Sequence, residues 1–589
     1  MHTFLISRLR HASLPELCCR ARQVARAARI RRAARRGRLP FPVPDTRPEA
    51  ILSLALPAFE PAVDPLAVEA VLSGKRFAFA GAGLRPETAD EEDIRAVWEP
   101  ARLQHLTLIF ARLSTLQQGE EADRLARFAR AELLAWLDGN PFPTGPHYRS
   151  AMECGLRIPV FFYALRLLDN LDAREFARIS AAVWTHALWT EANLSLYSSL
   201  GNHTVCEAVG LVFAGAVFRD SPRGRRWLAR GTGLLDRELT RQVLEDGGAL
   251  EQSLSYHRFV LDLYWLTADF LGKNALHDTS GWKTRLRLGE EFLAAFSDDR
   301  GGYPLIGDSD DGHALAPGLF PARELPDSPR QGCRTFPAAG YTVLNAGGDA
   351  RITFDHGPLG MPPLNNHGHA DALSITLSVA GEALLVDPGT YRYNGVPLWR
   401  RYFKGTAAHN TVAVDALDQA VQQTGFIWSS PYGCQLLQAK ETPLGYLVDA
   451  EHDGYRRLKE PVLHRRALLL AASDVLVVSD SFSGTGEHEF ALHFHLHPQA
   501  VVTREKQCWS VARGKSRIWI RLFGEADLEL LHVGEDSPLG WYAPSYGVRV
   551  PAYVLGCRKR GACRSISFRT VIGWGSETDF SWLKEAYHD

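Results

Sequence analysis

Long apolar runs are missing from this chain of 589 residues: the longest, roughly Ala208 to Phe218, is far short of the ~20 residues a membrane span requires. Met1 to Pro40 likewise lacks the uninterrupted apolar stretch and small-residue cleavage site of a secretory signal, so a soluble chain without an ordinary leader is expected. Nine cysteines are scattered with no C-x-x-C pair, and their odd number leaves at least one thiol unpaired within the chain; this argues against a disulfide framework and a cysteine zinc site. Charge of one sign is also lacking. A formal net charge of -1 argues against a nucleic-acid partner, whose binding would rest on neutralising phosphates.

The exception is local. Between Arg8 and Arg38 stand eleven arginines and one acid, Glu16, interleaved with Ala, Leu and Val. The segment reads either as a basic amphipathic arm able to touch an anionic membrane or an acidic polymer, or as a solvated helix or disordered tail.

The length calls for at least two domains. After a proline-rich lead-in from Leu39 to Pro65, apolar residues recur at helical spacing from about Glu91 to Phe296, as in Val205, Val209, Val212 and Ala216. A Pro- and Gly-containing linker follows at Pro317 to Ala339. Beyond it the period falls to two: Leu373, Ile375, Leu377 and Val379 alternate with Ser374, Thr376 and Ser378, a half-buried strand. The expected organisation is a basic arm over 1–45, a helical domain over 46–325 and an antiparallel sandwich over 335–589.

The densest polar cluster begins at Pro362. On an extended backbone His367, His369 and Asp371 share one face, which continues into Leu373 and Ile375. Imidazoles and a carboxylate there suit a metal or an acid/base site, although two histidines can equally cap a sheet edge. Asp387 and His409 could join His369 as a three-ligand set. A turn near Gly381 would pair Asp387 with about Ile375, however, leaving His369 on a continued strand roughly 20 Å away at ~3.3 Å per residue. The set therefore requires residues 365–371 to fold back as a loop. A second ladder, His493, His495 and His497, has no following carboxylate and reads as a strand face of hydrogen-bonded or solvated histidines.

In the helical half, Asn202 and His203 stand where a helix begins, and Glu207 lies one turn on, able to pair with His203. Tyr256 and His257 follow a glycine-containing turn, and Tyr256 falls on the stripe of Phe259 and Leu263, as a core tyrosine would. Glu207, His257, Asn366 and Arg401 are candidates for contacting substrate. Arg400 and Lys404, beside Arg401, could also meet an anionic sugar or simply be solvated.

Taken in order, GNHTVCEAVGL, EQSLSYH, NNHGHAD, LLVDPGTY, AAHNTV and GWYAPSYG resemble the heparinase II/III family of polysaccharide lyases over most of the chain beyond residue 90. The resemblance implies an N-terminal incomplete (α/α) toroid followed by a C-terminal antiparallel β-sandwich. It also implies β-elimination on a uronic-acid-containing acidic polysaccharide. Asn202, with His203 beside it, would neutralise the uronate carboxylate, Tyr256 would serve as acid, and His367 as the other proton-transfer group. His369, Asp387 and His409 would bind a divalent metal, zinc foremost, in a structural role. Relatives without a leader suggest bacterial exopolysaccharide production or editing, in the cytoplasm by sequence or the periplasm by resemblance. Two rival readings are a glycoside hydrolase drawing paired carboxylates from Glu207, Glu245, Asp246 and Glu251, and a glycan-binding or assembly protein without turnover.

Overall fold

The computed structural model describes residues 13–44, 48–74, 93–197, 199–298, 301–326, 332–531 and 538–574; Arg8 and Arg10 of the basic arm lie outside them. The chain forms two compact units, and two segments that precede residue 325 belong to the second of them. One unit holds residues up to Gln242 with Arg258–Arg287 and Gly312–Glu324. The other holds Val243–His257 and Leu288–Asp311 together with Leu325 onward. Tyr256 thus belongs to the strand-rich unit, although its helix continues into the helical one.

The helical unit opens with α1 (Leu14–Ala34), α2 (Pro48–Leu52), α3 (Pro65–Leu72), α4 (Ile94–Ala101), α5 (Gln104–Leu113) and α6 (Glu120–Gly139). It continues with α7 (Ala151–Leu167), α8 (Ala173–Ala192), α9 (Asn202–Val217), α10 (Pro222–Gln242), and the greater part of α11 (Leu254–Lys273) and the start of α12 (Ser280–Phe296). The longest apolar run in the sequence is the body of α9, a helix buried on every side except at His203. Its neighbours approach so closely that only glycine fits. A Cβ on Gly155 of α7 would lie 2.6 Å from the Cys206 carbonyl oxygen, and one on Gly210 would lie 2.6 Å from the Gly155 Cα. On the other flank, a Cβ on Gly215 would stand 2.5 Å from the Leu228 nitrogen of α10.

The strand-rich unit begins with a five-stranded meander, β1 (Gly332–Phe336), β2 (Tyr341–Ala346), β3 (Ala350–Asp355), β4 (Ile375–Val379) and β5 (Glu382–Leu385), antiparallel throughout. After α13 (Pro397–Lys404) come β6 (Val412–Val414), β7 (Cys434–Thr442), β8 (Gly445–His452), β9 (Val462–Ala472), β10 (Val475–Gly484) and β11 (Glu487–His495). The last strands are β12 (Val501–Glu505), β13 (Cys508–Arg513), β14 (Ser516–Phe523), β15 (Glu529–Leu531), β16 (Val554–Ala562) and β17 (Ser567–Trp574). They form an eight-stranded sheet in the order β7-β8-β9-β10-β17-β14-β13-β12 and a four-stranded sheet in the order β15-β16-β11-β6. Leu344, Ile352 and Phe354, with Leu468, Leu476 and Ile572 and with Leu492 and Leu555, make one apolar core drawn from all three sheets. Burying the inner faces of these sheets is what alternating strands require of a sandwich.

The strand expected from Leu373 starts two residues later, at Ile375. Leu373 takes a left-handed φ of 63°, which turns the chain before the ladder begins. The nineteen residues between β3 and β4 are a folded loop, and this corrects the extended placement of His367, His369 and Asp371 on one strand face. Gly368 makes that loop possible, since a Cβ there would overlap the Leu359 carbonyl oxygen at 1.5 Å.

Two substitutions in neighbouring helices should therefore act with opposite sign. Gly210→Ala, forced against α7, should cost about 1–3 kcal/mol of stability. Gly233→Ala, on the exposed face of α10 with nothing within 4 Å of its Cβ, should gain about 0.5–1 kcal/mol. Urea unfolding of the two variants measures both.

Candidate active site

Ser253 is the joint from which the site is built. Its hydroxyl oxygen accepts the Tyr256 backbone N–H at 3.1 Å, capping α11, and the same hydroxyl donates to the Asp308 carbonyl at 2.6 Å. The start of α11 is thereby tied to the segment after α12, and Tyr256 is held on the first turn. The loop between β3 and β4 joins the same segment, because the Asp308 N–H donates to the His367 carbonyl at 2.9 Å.

These ties bring the Tyr256 and His367 rings to 4.0 Å between centroids. Tyr256 is half-buried rather than a core residue, and its hydroxyl donates to Asp310 Oδ2 at 2.7 Å. The Tyr393 hydroxyl donates to that oxygen at 2.9 Å and lies 3.1 Å from the Tyr256 hydroxyl. A hydroxyl donating to a carboxylate is a protonated phenol, poised to give up a proton.

Asp308 is the second organising carboxylate, fully buried. It receives Arg400 through both terminal nitrogens at 2.5 and 2.8 Å, His367 Nδ1 at 3.0 Å and His369 Nε2 at 3.1 Å. Burial alone would raise its pKa; the Arg400 charge and the two imidazole hydrogen bonds outweigh that and hold it well below the ordinary carboxylate range. His367 Nδ1 donates to Asp308, and its Nε2 faces Glu251 Oε2 at 3.6 Å.

The donor atoms of His369, Asp387 and His409 all lie within 4.8 Å of one another. The fold-back demanded by hairpin arithmetic is present: the β4–β5 ladder ends at Leu377 opposite Leu385, and the loop returns His369 to the strand end near Asp387. His369 gives its Nε2 proton to Asp308, and His409 gives its Nδ1 proton to the Gly405 carbonyl at 2.8 Å. His369 Nδ1 and His409 Nε2 then face each other at 3.2 Å, lone pair against lone pair. Burial pushes the His369 pKa down to about 4 and holds that of His409 well below the ordinary imidazole value, so a shared proton is disfavoured. A cation between them resolves the repulsion, and two imidazole nitrogens on a tetrahedral ion at ~2.05 Å stand about 3.3 Å apart. With Asp387 Oδ2 at 3.7 Å from His409 Nε2, this donor set fits a metal ion.

Other expectations are corrected. Glu207 is completely buried, its two oxygens taking the Ser195 N–H at 2.6 Å and the Ser195 hydroxyl at 2.7 Å. It anchors the loop before α9 instead of touching substrate or pairing with His203, and burial raises its pKa to about 8. Asn202, buried, and His203, half-buried, open α9 immediately after Gly201, whose φ of 93° starts the helix. His257 is buried edge-on against Phe292, which removes it from substrate contact. Asn366 is half-buried on the folded loop, and Arg401 is exposed. Arg400 and Lys404 are both buried; Lys404 donates to the Gly425 carbonyl over the Trp428 ring, so neither is a solvated charge or a free sugar contact. Asp246 accepts the Gly248, Ala338 and Ala339 N–H groups, a structural use that removes it from a hydrolase pair. His493 and His495 are buried and His497 half-buried; among the described residues no metal group includes them.

Asp308 and Asp310 were missed as site residues, as was the partnership of Arg400 with Asp308. The available signal was the compact acidic turn GDSDDG, anomalous beside a run of apolar positions.

The sequence profile "Heparinase II/III N-terminus" matches residues 115–311, and "Heparinase II/III-like, C-terminal" matches residues 328–569. Together they cover about three quarters of the chain, which belongs to the heparinase II/III family. A heparin-sulfate lyase of Bacteroides stercoris is 22% identical over 386 residues, 60% of this chain and 54% of that protein, so the chain spans about half the length of this curated relative. Among solved structures, a heparinase III superposes with a TM-score of 0.67 at 17% identity, covering 94% of this chain and 89% of the other. A chondroitin AC lyase of Streptomyces coelicolor, in complex with chondroitin sulphate, gives 0.53 at 14% identity, covering 92% and 84%. The fold is the expected helical toroid with an antiparallel β-sandwich.

Two outcomes follow. Asp308→Ala strands the buried Arg400 charge and should cost about 3–5 kcal/mol in urea unfolding near neutral pH. Because the Asp308 pKa is depressed on folding, its contribution is present above the ordinary carboxylate range and is lost only as pH falls through the lowered value. Glu207 acts in the opposite direction. Its raised pKa makes the folded state hold a proton that the unfolded state has released, so stability falls as pH rises from about 4.3 towards about 8. Glu207→Gln should flatten that fall in melting temperature across the same range, and an unchanged slope assigns it to other groups.

Proposed function

We propose that this protein is a polysaccharide lyase that cleaves a uronic-acid-containing acidic polysaccharide by β-elimination. The observation that carries the reading is the Tyr256–His367 contact, with the Tyr256 hydroxyl donating to Asp310 and the imidazole oriented by Asp308.

The uronate C5 proton is only weakly acidic, so the adjacent carboxylate must be neutralised before that proton can be removed. Asn202, with His203 beside it, is assigned to that task. His367, its Nδ1 proton committed to Asp308, takes the C5 proton on Nε2; the C5–H electron pair becomes the C4–C5 double bond as the C4–O bond breaks. Tyr256 gives its hydroxyl proton to the departing C4 oxygen, and no water is consumed. Asp310 and Tyr393 hold the phenol in place. Asn366 and Arg401, the accessible members of the expected set, are assigned to substrate contact.

His369, Asp387 and His409 would hold a divalent ion, zinc by its preference for imidazole and carboxylate. When bound, its charge would neutralise Asp387 and hold the His367 loop against the strand end. The heparin-sulfate and chondroitin lyases among the relatives favour an acidic glycan as substrate. Editing of a bacterial exopolysaccharide is the setting we assign to it.

Incubating the protein with a panel of uronate polysaccharides should yield products with the near-ultraviolet absorbance of an unsaturated uronate. Tyr256→Phe should lower that rate by about 100-fold or more while glycan binding changes little. Saturated product ends indicate a hydrolase, and full activity in Tyr256→Phe removes the phenol from the reaction.

A further inference from the structure

Helix α1 begins with Ser13 capping the Glu16 N–H and with a proline in its first turn, and its last turn carries Arg31 and Arg32, where the helix dipole favours cations. Only one stripe of it packs on the body of the protein. Ala27 and Ile30 are buried with Trp189 and Ala192, and the Gln23 side chain donates to the Leu194 carbonyl. Arg29 and Arg31 lie over the Phe41 and Trp189 rings, and the remaining residues away from that stripe face solvent.

That surface is itself two-faced. At about 100° per residue, Leu14, Leu17, Ala21, Val24 and Ala28 fall within an arc of roughly 80°. All five are exposed, Leu14 at 74% and Val24 at 70%. Arg22, Arg26 and Arg29 line one side of this stripe, Arg31 the other, and Arg32 and Arg35 close its C-terminal end; every one is exposed. The positive surface continues onto α10, where Arg223, Arg226 and Arg230 converge on a single acid, Glu191. Burial lowers the pKa of Arg223 and of Arg230, and the nearby Arg26 charge adds to it in both.

We propose that α1 is an in-plane anchor to an anionic membrane surface, its leucine and valine stripe entering the acyl boundary and its arginines meeting the lipid phosphates. This goes beyond the catalytic reading and does not rest on it. An acidic glycan would need the guanidinium groups alone and gives no reason for Leu14 and Val24 to stand in solvent among them. A second copy packed through the same stripe would bring two arginine faces together at a repulsive cost. A lipid surface accommodates both features, since burying the large aliphatic side chains in the acyl boundary and bringing the cations to the lipid phosphates are each favourable. No helix among the described residues is long and apolar enough to cross the bilayer, so the contact is peripheral.

Sedimentation of the full chain with vesicles of phosphatidylcholine and phosphatidylglycerol, against phosphatidylcholine alone, tests this. Wild type should favour the anionic vesicles by about tenfold or more at physiological salt, less so at high salt. Leu14→Ser with Val24→Ser should weaken that binding by about tenfold or more, as should the triple variant Arg22→Glu, Arg26→Glu, Arg32→Glu. Melting curves like that of wild type would show that these exposed substitutions leave the fold intact. Absence of vesicle binding by wild type overturns the proposal. So does full binding by the Leu14/Val24 variant with loss only in the arginine variant and release by soluble heparin, which identifies a polyanion surface. A fall in oligomeric mass in the Leu14/Val24 variant with vesicle binding unchanged identifies a second copy and also overturns it.

Discussion

One buried anion organises the chemistry of this protein. Asp308 accepts four nitrogen atoms at once, two from Arg400 and one each from His367 and His369. A carboxylate so deep in the protein would be costly if unpaired; the arginine makes it an anion, and the anion then dictates which nitrogen of each imidazole carries hydrogen. His369 is left with a lone pair aimed at His409, and His367 has its Nδ1 fixed on Asp308.

The consequence is clearest beside a second histidine pair in the sandwich. His452 Nε2 also meets His464 Nδ1 at 3.2 Å, and β10 and β9 supply an aspartate and an arginine, Asp480 and Arg466. There the chain of donors closes. The Gly454 N–H donates to His452 Nδ1, His452 Nε2 meets His464 Nδ1, and His464 Nε2 donates to Asp480, with the Gln419 amide nitrogen 3.4 Å from the same His452 Nε2. Between α13 and β6 the far partner of His409 is the Gly405 carbonyl, an acceptor, and the direction reverses. One pair is complete with protons alone. The other leaves two lone pairs facing each other beside Asp387, a donor set that fits a cation.

Much of this was legible in the residues. The change of period from 3.6 to 2 marked the passage from helices to strands, and the ordered motifs named the family that the profiles match. The hairpin arithmetic around Gly381 correctly required the His369 segment to fold back. What escaped was long-range. Nothing near Asp308 in the chain announces that it will meet Arg400, 92 residues on, or that Val243–His257 will leave the helical unit for the strand-rich one. Glu207 misled because it sits one helical turn from His203, whereas its partner, Ser195, lies in the preceding loop. Lys404 was left open between a sugar contact and a solvated charge because spacing does not reveal burial beneath a loop.

The proton positions set by Asp308 can be observed directly by nitrogen NMR of histidine-labelled protein freed of metal. The account predicts His367 protonated at Nδ1, His369 at Nε2 and His409 at Nδ1, with the His369 and His367 assignments lost in Asp308→Asn. A His369 ring protonated at Nδ1 in the wild-type protein would contradict it, because the lone pair that meets His409 would then be absent.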